Sequence, residues 1–321
     1  MLKDVIGHKT NIDLLINSLR SGRIANAYLF AGPPDVGKEF VAVNFAKALN
    51  CLEPKDDYDA CDVCVSCRKI DGGNHPDVRK ISPDGTFLKI DQIRDLQKQI
   101  SYKPMEGRRK VYIILNVERM TRETANCFLK TLEEPPGIST LILVTTNMNA
   151  LLPTIRSRCQ ILKFSNVPRN ILRQQLIERF IITSAEAKSI VMLSGGKVGK
   201  AFEIAKNHEF STKLEIPKIL CPPDKIEVFK IAEELSQNPD ALDALLTWYR
   251  DLLLIKQGCR GELLTHSDKW NELSQIANNC SRLHIHQAIE TIMKTKQMIQ
   301  RNVNSMLALE VLVFKLLSLR F

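Results

Sequence analysis

The stretch Ala27-Tyr28-Leu29-Phe30-Ala31-Gly32-Pro33-Pro34-Asp35-Val36-Gly37-Lys38-Glu39 constrains this chain more than any other. A short apolar strand runs into Gly-x-x-x-x-Gly-Lys, and an apolar-periodic helix follows through Phe40, Val41, Val43, Phe45, Ala46 and Leu49. Strand, glycine-rich loop and helix in that order make a P-loop. The glycines let backbone N–H groups approach a phosphate, and the helix N-terminus adds positive potential. The last motif position calls for Ser or Thr, whose hydroxyl binds Mg²⁺. Here it is Glu39.

Strands and helices alternate on either side of this loop. An opening helix is expected over 11–19, from the spacing of Ile12, Leu14, Leu15, Ile16 and Leu19. Strands are expected over 77–81, 111–115, 140–145 and 161–164, with the 111–115 run apolar enough to be buried on both faces of a parallel sheet. Helices are expected between them, over 90–100, 121–132 and 152–158. Residues 1–165 therefore read as a parallel α/β domain. The pattern changes at Asn166-Val167-Pro168. Beyond it only helical periodicity remains, interrupted at Gly195-Gly196 and at Cys221-Pro222-Pro223-Asp224. Residues 241–255 carry an apolar stripe, and 306–319, after the N-cap candidate Asn304, are apolar almost all round. That last helix calls for burial, in its own domain or against other subunits.

Phosphoryl transfer also needs a strand ending in acidic residues, to hold Mg²⁺ and orient the attacking water. The strand 111–114 is followed by Leu115 and Asn116, where Asp-Glu would stand, and Glu118 lies further on. Glu39 itself sets a carboxylate beside the phosphate cradle. Two unit charges ~4 Å apart interact by about 4 kcal/mol at an effective dielectric of 20, here repulsively. The counter-reading makes Glu39 a Mg²⁺ ligand, but nothing opposite completes the shell. The residues describe a P-loop fold without hydrolysis.

Four of the nine cysteines cluster as Cys51-x9-Cys61-x2-Cys64-x2-Cys67. Two-residue loops between thiolates match a closed tetrahedral zinc site of four cysteines, which is structural because no coordination position is left open. The alternative is four unmetallated thiols, yet so dense a cluster in a charged loop has no core of its own to enter. His75, before Pro76, reads as a turn residue, and none of the other five histidines reads as a ligand. Ser157-Arg158-Cys159 lies in a loop before the last strand, and taken alone Arg158 is a surface arginine.

The formal charge of +9 is uneven: residues 151–210 hold ten basic and four acidic side chains. That excess fits either a solvated face or an anionic partner such as DNA or a neighbour's nucleotide. No apolar run reaches membrane-span length, and Met1-Leu2-Lys3-Asp4-Val5 lacks the apolar core of a signal peptide, so the cytoplasm is the expected location and no membrane partner is expected.

Together these residues resemble the bacterial clamp-loader family of AAA+ proteins, and within it the delta prime branch. The resemblance rests on Val5-Ile6-Gly7, the P-loop strand, the four-cysteine insertion, His75-Pro76-Asp77 and Ile90-Asp91-Gln92-Ile93-Arg94. It continues through Leu129-Lys130-Thr131-Leu132-Glu133-Glu134-Pro135-Pro136 and Ser157-Arg158-Cys159. It is strong over 1–165, weaker over 166–208, and beyond that rests on helical character. ATPase members of the family keep the Mg²⁺-binding Thr, the Asp-Glu pair and a sensor arginine that would align with Gly199. Glu39, Leu115, Asn116 and Gly199 are four departures, and delta prime subunits commonly show such losses and act as a rigid stator. Asn26 departs from the family's usual His without a physical account.

The resemblance implies an AAA+ P-loop domain over 1–165 with a zinc module at about 51–68, a helical lid over 166–208 and an all-α collar over 209–321. It implies structural Zn²⁺ on Cys51, Cys61, Cys64 and Cys67, and no productive ATP binding at the degenerate Gly32, Gly37, Lys38 and Glu39. It further implies a DNA polymerase III holoenzyme subunit without its own ATPase activity, in a five-subunit ring with gamma/tau and delta subunits that loads the sliding clamp onto primed DNA. Arg158 would then act in trans as an arginine finger for a neighbouring subunit. A gamma/tau-type ATPase and a zinc-stabilised DNA-binding module are the alternatives.

Overall fold

The structure is a computed structural model that describes residues 1–55, 58–133, 137–206, 227–237, 241–259, 263–266, 269–300 and 303–318. The described residues fall into two compact units: residues 1–175 with 196–200, and residues 176–195 with 201–321.

The first unit is built on five parallel strands, β1 (Ala27–Ala31), β2 (Val78–Ile81), β3 (Lys110–Ile114), β4 (Ser139–Thr145) and β5 (Gln160–Lys163), ordered β2-β3-β4-β1-β5. The three central strands are buried along their whole length, as their apolar runs require, while β2 and β5 form the edges and expose polar positions. Alternation sorts the side chains to two faces. Tyr28, Phe30, Val111, Ile113, Ile142 and Val144 pack with Ile12 and Leu15 of α1 (Lys9–Ser21) and with Val41 and Phe45 of α2 (Lys38–Asn50). Leu29, Tyr112, Ile114, Leu141 and Leu143 face Ile93, Leu96 and Ile100 from the helix Ile90–Ile100 and Phe128 and Leu132 from the helix Arg122–Glu133.

β1 sits where the strand order reverses, between β4 and β5. In open α/β sheets the crevice at such a point, outside the strands' carboxyl ends, is where ligands bind. Gly32 opens the loop there. A Cβ on it would lie 2.2 Å from the carbonyl oxygen of Phe164, so only glycine lets the loop pass so close to the chain leaving β5.

The elements expected from periodicity are present, with ends shifted by at most two residues. The expected short helix over 152–158 is confined to Pro153–Arg156, which leaves Ser157 and Arg158 in the following turn. One helix had no periodic signal: Val65–Asp71 closes the cysteine insertion, and the Cys64 sulfur accepts a hydrogen bond from the Cys67 N–H at its start.

The second unit is helical. Ser184–Ser194 stops at Gly195, whose φ is 61°. Five helices, Glu227–Ser236, Ala241–Lys256, Trp270–Asn279, Arg282–Gln300 and Ser305–Ser318, share a core around Leu245, Trp248, Leu252, Leu273, Ile285, Ile292 and Leu312. Asn304 caps the last helix by accepting the Leu307 N–H at 3.2 Å. That helix buries Leu309, Leu312, Val313 and Leu316 but exposes Leu307, Val311 and Phe314. Glu134-Pro135-Pro136, Cys221-Pro222-Pro223-Asp224 and Leu319 lie outside the described residues. Among the described residues no helix is long and apolar enough to cross a membrane.

Candidate functional site

Gly37, at φ 98°, turns the P-loop into α2, and Lys38 is the first residue of that helix. Its side chain is buried. Nζ donates to the carbonyl oxygen of Gly32 at 2.7 Å and to that of Pro33. Burial holds the Lys38 pKa down, against Glu118 and Asp35, which raise it. Other bonds fix the same loop. The Gly199 N–H donates to the Asp35 carbonyl at 2.7 Å, and His8 Nε2 donates to the Val36 carbonyl at 3.0 Å. The cation that would reach a phosphate is thus engaged by the loop that would cradle it.

The other predicted positions have partners of their own or lack a carboxylate. Glu39 is exposed and pairs with Lys80 of β2 at 2.9 Å. Leu115 and Asn116 follow β3 without contributing a carboxylate. Glu118, in the turn Val117–Arg119, accepts from Thr145 Oγ1 at 2.8 Å and from the Thr146 N–H at 3.2 Å. Burial alone would raise the Glu118 pKa, but the bonds from Thr146 and Thr145 hold it below the usual glutamate value.

At the opposite end of α2 the four cysteines meet. The Sγ atoms of Cys51, Cys61, Cys64 and Cys67 lie within 4.8 Å of one another. Cys51 and Cys64 are 3.9 Å apart, close to the ~3.8 Å edge of a tetrahedron with Zn–S bonds of about 2.3 Å. Backbone N–H groups already point at the sulfurs: Cys61 N to Cys51 Sγ at 3.3 Å and Cys64 N to Cys61 Sγ at 3.3 Å. Burial works against ionisation of Cys64, yet the N–H groups of Cys67 and Leu52 bring its thiol down to about 6. The donor set fits a metal ion held by thiolates.

Arg158 sits on the surface, in the turn before β5. Nη2 meets Glu133 Oε1 at 2.7 Å and Nη1 donates to the Thr154 carbonyl at 3.0 Å. Burial pushes the thiol of its neighbour Cys159 up to about 12.

Comparison with known proteins brings these features together. The family described as "DNA polymerase III, delta subunit" matches residues 7–168, and its C-terminal counterpart matches residues 220–317. The chain is 32% identical to the DNA polymerase III subunit delta' of Bacillus subtilis over 94% of both proteins. This chain belongs to the DNA polymerase III delta prime family. It is also 42% identical to the tau subunit of Escherichia coli, over 49% of this chain but only 24% of that protein. A gamma subunit-related protein of Thermotoga maritima superposes over 96% of this chain and 99% of its own, with a TM-score of 0.55 at 19% identity, which reports the fold alone.

Three buried networks in this delta prime chain were not predicted from the sequence, although His75 and Asp77 stand in one of its motifs. Asp77 accepts the N–H groups of Met105, Glu106 and Gly107 at 2.7–2.9 Å. These bonds outweigh burial and hold its carboxyl below the usual range. His75, expected in a turn, is there but buried, with Nδ1 accepting the Asp77 N–H at 3.1 Å. Asp59 accepts the N–H groups of Leu2 and Lys3 at 3.0 Å each. In the helical unit, fully buried Asp251 accepts the Thr265 and His266 N–H groups, each at 2.9 Å, and contacts His266 Nδ1 at 3.0 Å. Each pairs a carboxylate with backbone N–H groups distant in sequence, so no motif announces it.

Proposed function

We propose that this chain is the non-hydrolysing stator of a clamp loader, helping a five-subunit ring with gamma/tau-type ATPase and delta subunits to load a sliding clamp onto primed DNA. The observation that carries the reading is the state of Lys38. It is bonded to the carbonyls of Gly32 and Pro33, while Glu39, Leu115 and Asn116 stand where Mg²⁺ ligands are needed. Phosphoryl transfer is catalysed by positioning and charge neutralisation, and both are missing here.

Arg158 acts in trans in this reading. Its planar guanidinium would leave Glu133, which it meets through Nη2 alone, for a bidentate pair with the γ-phosphate bound to a neighbouring subunit. The four cysteines hold one structural Zn²⁺, which supplies a crosslink and no chemistry. The chain divides into a P-loop domain over 1–165, a lid over 166–208 and a collar over 209–321, with the exposed Leu307, Val311 and Phe314 on a collar helix.

Two measurements test this. Calorimetric titration of the isolated chain with Mg-ATP is expected to give no micromolar site. A clean micromolar site would favour the gamma/tau-type reading, which the 42% identity to a tau subunit over the P-loop half keeps in view. Arg158→Ala in a reconstituted loader is expected to leave assembly intact and to lower clamp-stimulated ATP turnover. An arginine finger is worth ~10³–10⁵ at the site it serves, but several sites contribute, so the total falls by less. Unchanged turnover at full assembly would return Arg158 to an ordinary surface residue.

A further inference from the structure

The cysteine module is stitched to two other parts of the first unit. Asp59, two residues before Cys61, is fully buried. Its two carboxylate oxygens take the N–H groups of Leu2 and Lys3 at 3.0 Å, and Oδ1 also takes the N–H of Ala60 at 2.7 Å. Leu2 itself is fully buried in the core that contains Val41 and Phe45. Asp62, inside the Cys61–Cys64 loop, holds a left-handed backbone at φ 63°, which costs a non-glycine residue energy unless its surroundings enforce it. Lys47 of α2 is buried and reaches Asp62 at 2.8 Å and Asp71 at 2.9 Å, gripping the loop from both sides. Ser66 Oγ adds a bond to the Asn50 carbonyl at 2.8 Å.

Residues 2–8 are pinned again at their far end. A Cβ on Gly7 would lie 3.0 Å from Val167, and the His8 ring stands edge-on to Phe164 at 4.8 Å while donating to Val36 of the P-loop. The segment therefore runs from the cysteine module to the P-loop, held at each end by a few specific bonds.

We infer that the four-cysteine module is a clasp for residues 2–8: metal held by the thiolates fixes Asp59 and Asp62, Asp59 fixes Leu2 and Lys3, and the segment so anchored keeps His8 on the P-loop. The inference rests on the metal reading given above. A buried carboxylate is stable only while its donors are in place, and the donors here are the backbone N–H groups of Leu2 and Lys3; the preceding Met1 adds a second bond to the same module, its ammonium meeting Asp62 at 2.8 Å. Without the metal crosslink, the 51–67 loop loses what joins its two ends. Asp59 then hydrates, and Leu2 and Lys3 are released. Asp59 and Lys47 are positioning residues in this scheme, acting through the loop and not on the metal.

The test follows amide hydrogen exchange in the full-length, reduced protein by mass spectrometry, with metal content measured on the same samples. Stripping the metal with a chelator is expected to speed exchange in residues 3–8 by about tenfold or more, with a smaller rise over 32–38, and added Zn²⁺ restores both. Asp59→Ala is expected to keep about one metal per chain, yet to exchange at residues 3–8 as the stripped protein does, with no response to metal. The milder Asp59→Asn, which keeps one acceptor oxygen, falls between; it serves if the alanine variant does not fold. Unchanged protection of residues 3–8 on stripping, or metal-dependent protection that survives in Asp59→Ala, would overturn the clasp while leaving the metal site standing. A protein that neither contains nor takes up metal would instead fail the metal reading.

Discussion

Helix α2 joins two sites that are built differently. At its N-terminus lies a P-loop whose lysine is bonded to its own loop and whose metal-binding positions hold Glu39, Leu115 and Asn116. At its C-terminus, 13 residues and about 20 Å away, Cys51 joins three other cysteines whose sulfurs all lie within 4.8 Å of one another. The P-loop site draws its parts from the loop after β1, the end of β3 and Gly199, far apart in the sequence. The cysteine set lies within 17 residues and works only as a whole.

The largest effect that would break this comparison is at the cysteine end. Cys61→Ser with Cys64→Ser is expected to abolish metal binding and to cost about 3–5 kcal/mol of stability, read as metal content and as a urea midpoint. Retention of both would mean the four thiols are not a metal site.

Next comes the support behind that end of the helix. The Asn50 side-chain oxygen accepts the Arg109 N–H at 3.0 Å, beside the loop whose N–H groups Asp77 collects. Asp77→Ala strands three N–H donors and should cost about 2–3 kcal/mol. A loss under about 0.5 kcal/mol would show that water replaces the carboxylate freely.

Acid sharpens the contrast, because each end of the helix has a histidine nearby. Burial is the largest effect on both His75 and His8 and lowers both below 6.5. A depressed histidine means that the unfolded chain takes the proton first. Its stabilisation is complete above about pH 6.5 and declines as pH falls toward the native value. Asp77, also depressed, adds a second loss below about pH 4 as the native carboxylate is approached by protons. Urea midpoints should therefore fall between pH 7.5 and 5.5, and His75→Asn, which keeps an acceptor for the Asp77 N–H, should flatten part of that fall. An identical slope in the variant would assign the fall elsewhere.

The smallest effects are expected at the P-loop end. Lys80→Ala removes the partner of Glu39 from a pair that is about half exposed, worth ~0–1 kcal/mol. Glu39→Thr supplies a hydroxyl but leaves Leu115, Asn116 and Gly199 in place, so a Mg-ATP titration should stay without a micromolar site. Micromolar binding by this single variant would mean that position 39 alone decides whether the loop takes nucleotide.

Much of the fold was legible because the residues that carry it recur at short spacing. Apolar runs at 27–31, 111–114 and 140–145 gave buried strands, and the three-and-four spacing of Ile93, Leu96 and Ile100 gave a helix face. The cysteine set was legible for the same reason. Glu118 was not, since its partners Thr145 and Thr146 come from another strand, 27 and 28 residues on. The helix Val65–Asp71 was hidden because a cysteine, an unusual cap, begins it.

Pattern along the chain was thus sufficient for the parallel α/β architecture, the loss of the Mg²⁺-binding residues, the cysteine donor set and the loop that carries Arg158. Only the folded chain shows that Lys38 is spent on Gly32 and Pro33, that Asp77 fills the 105–107 loop and that Asp59 holds Leu2 and Lys3 from 57 and 56 residues away. The division has one physical cause. Side chains differ along a chain and leave a pattern, whereas backbone N–H and C=O groups are nearly the same at every residue, so a bond made to them leaves no mark in the sequence.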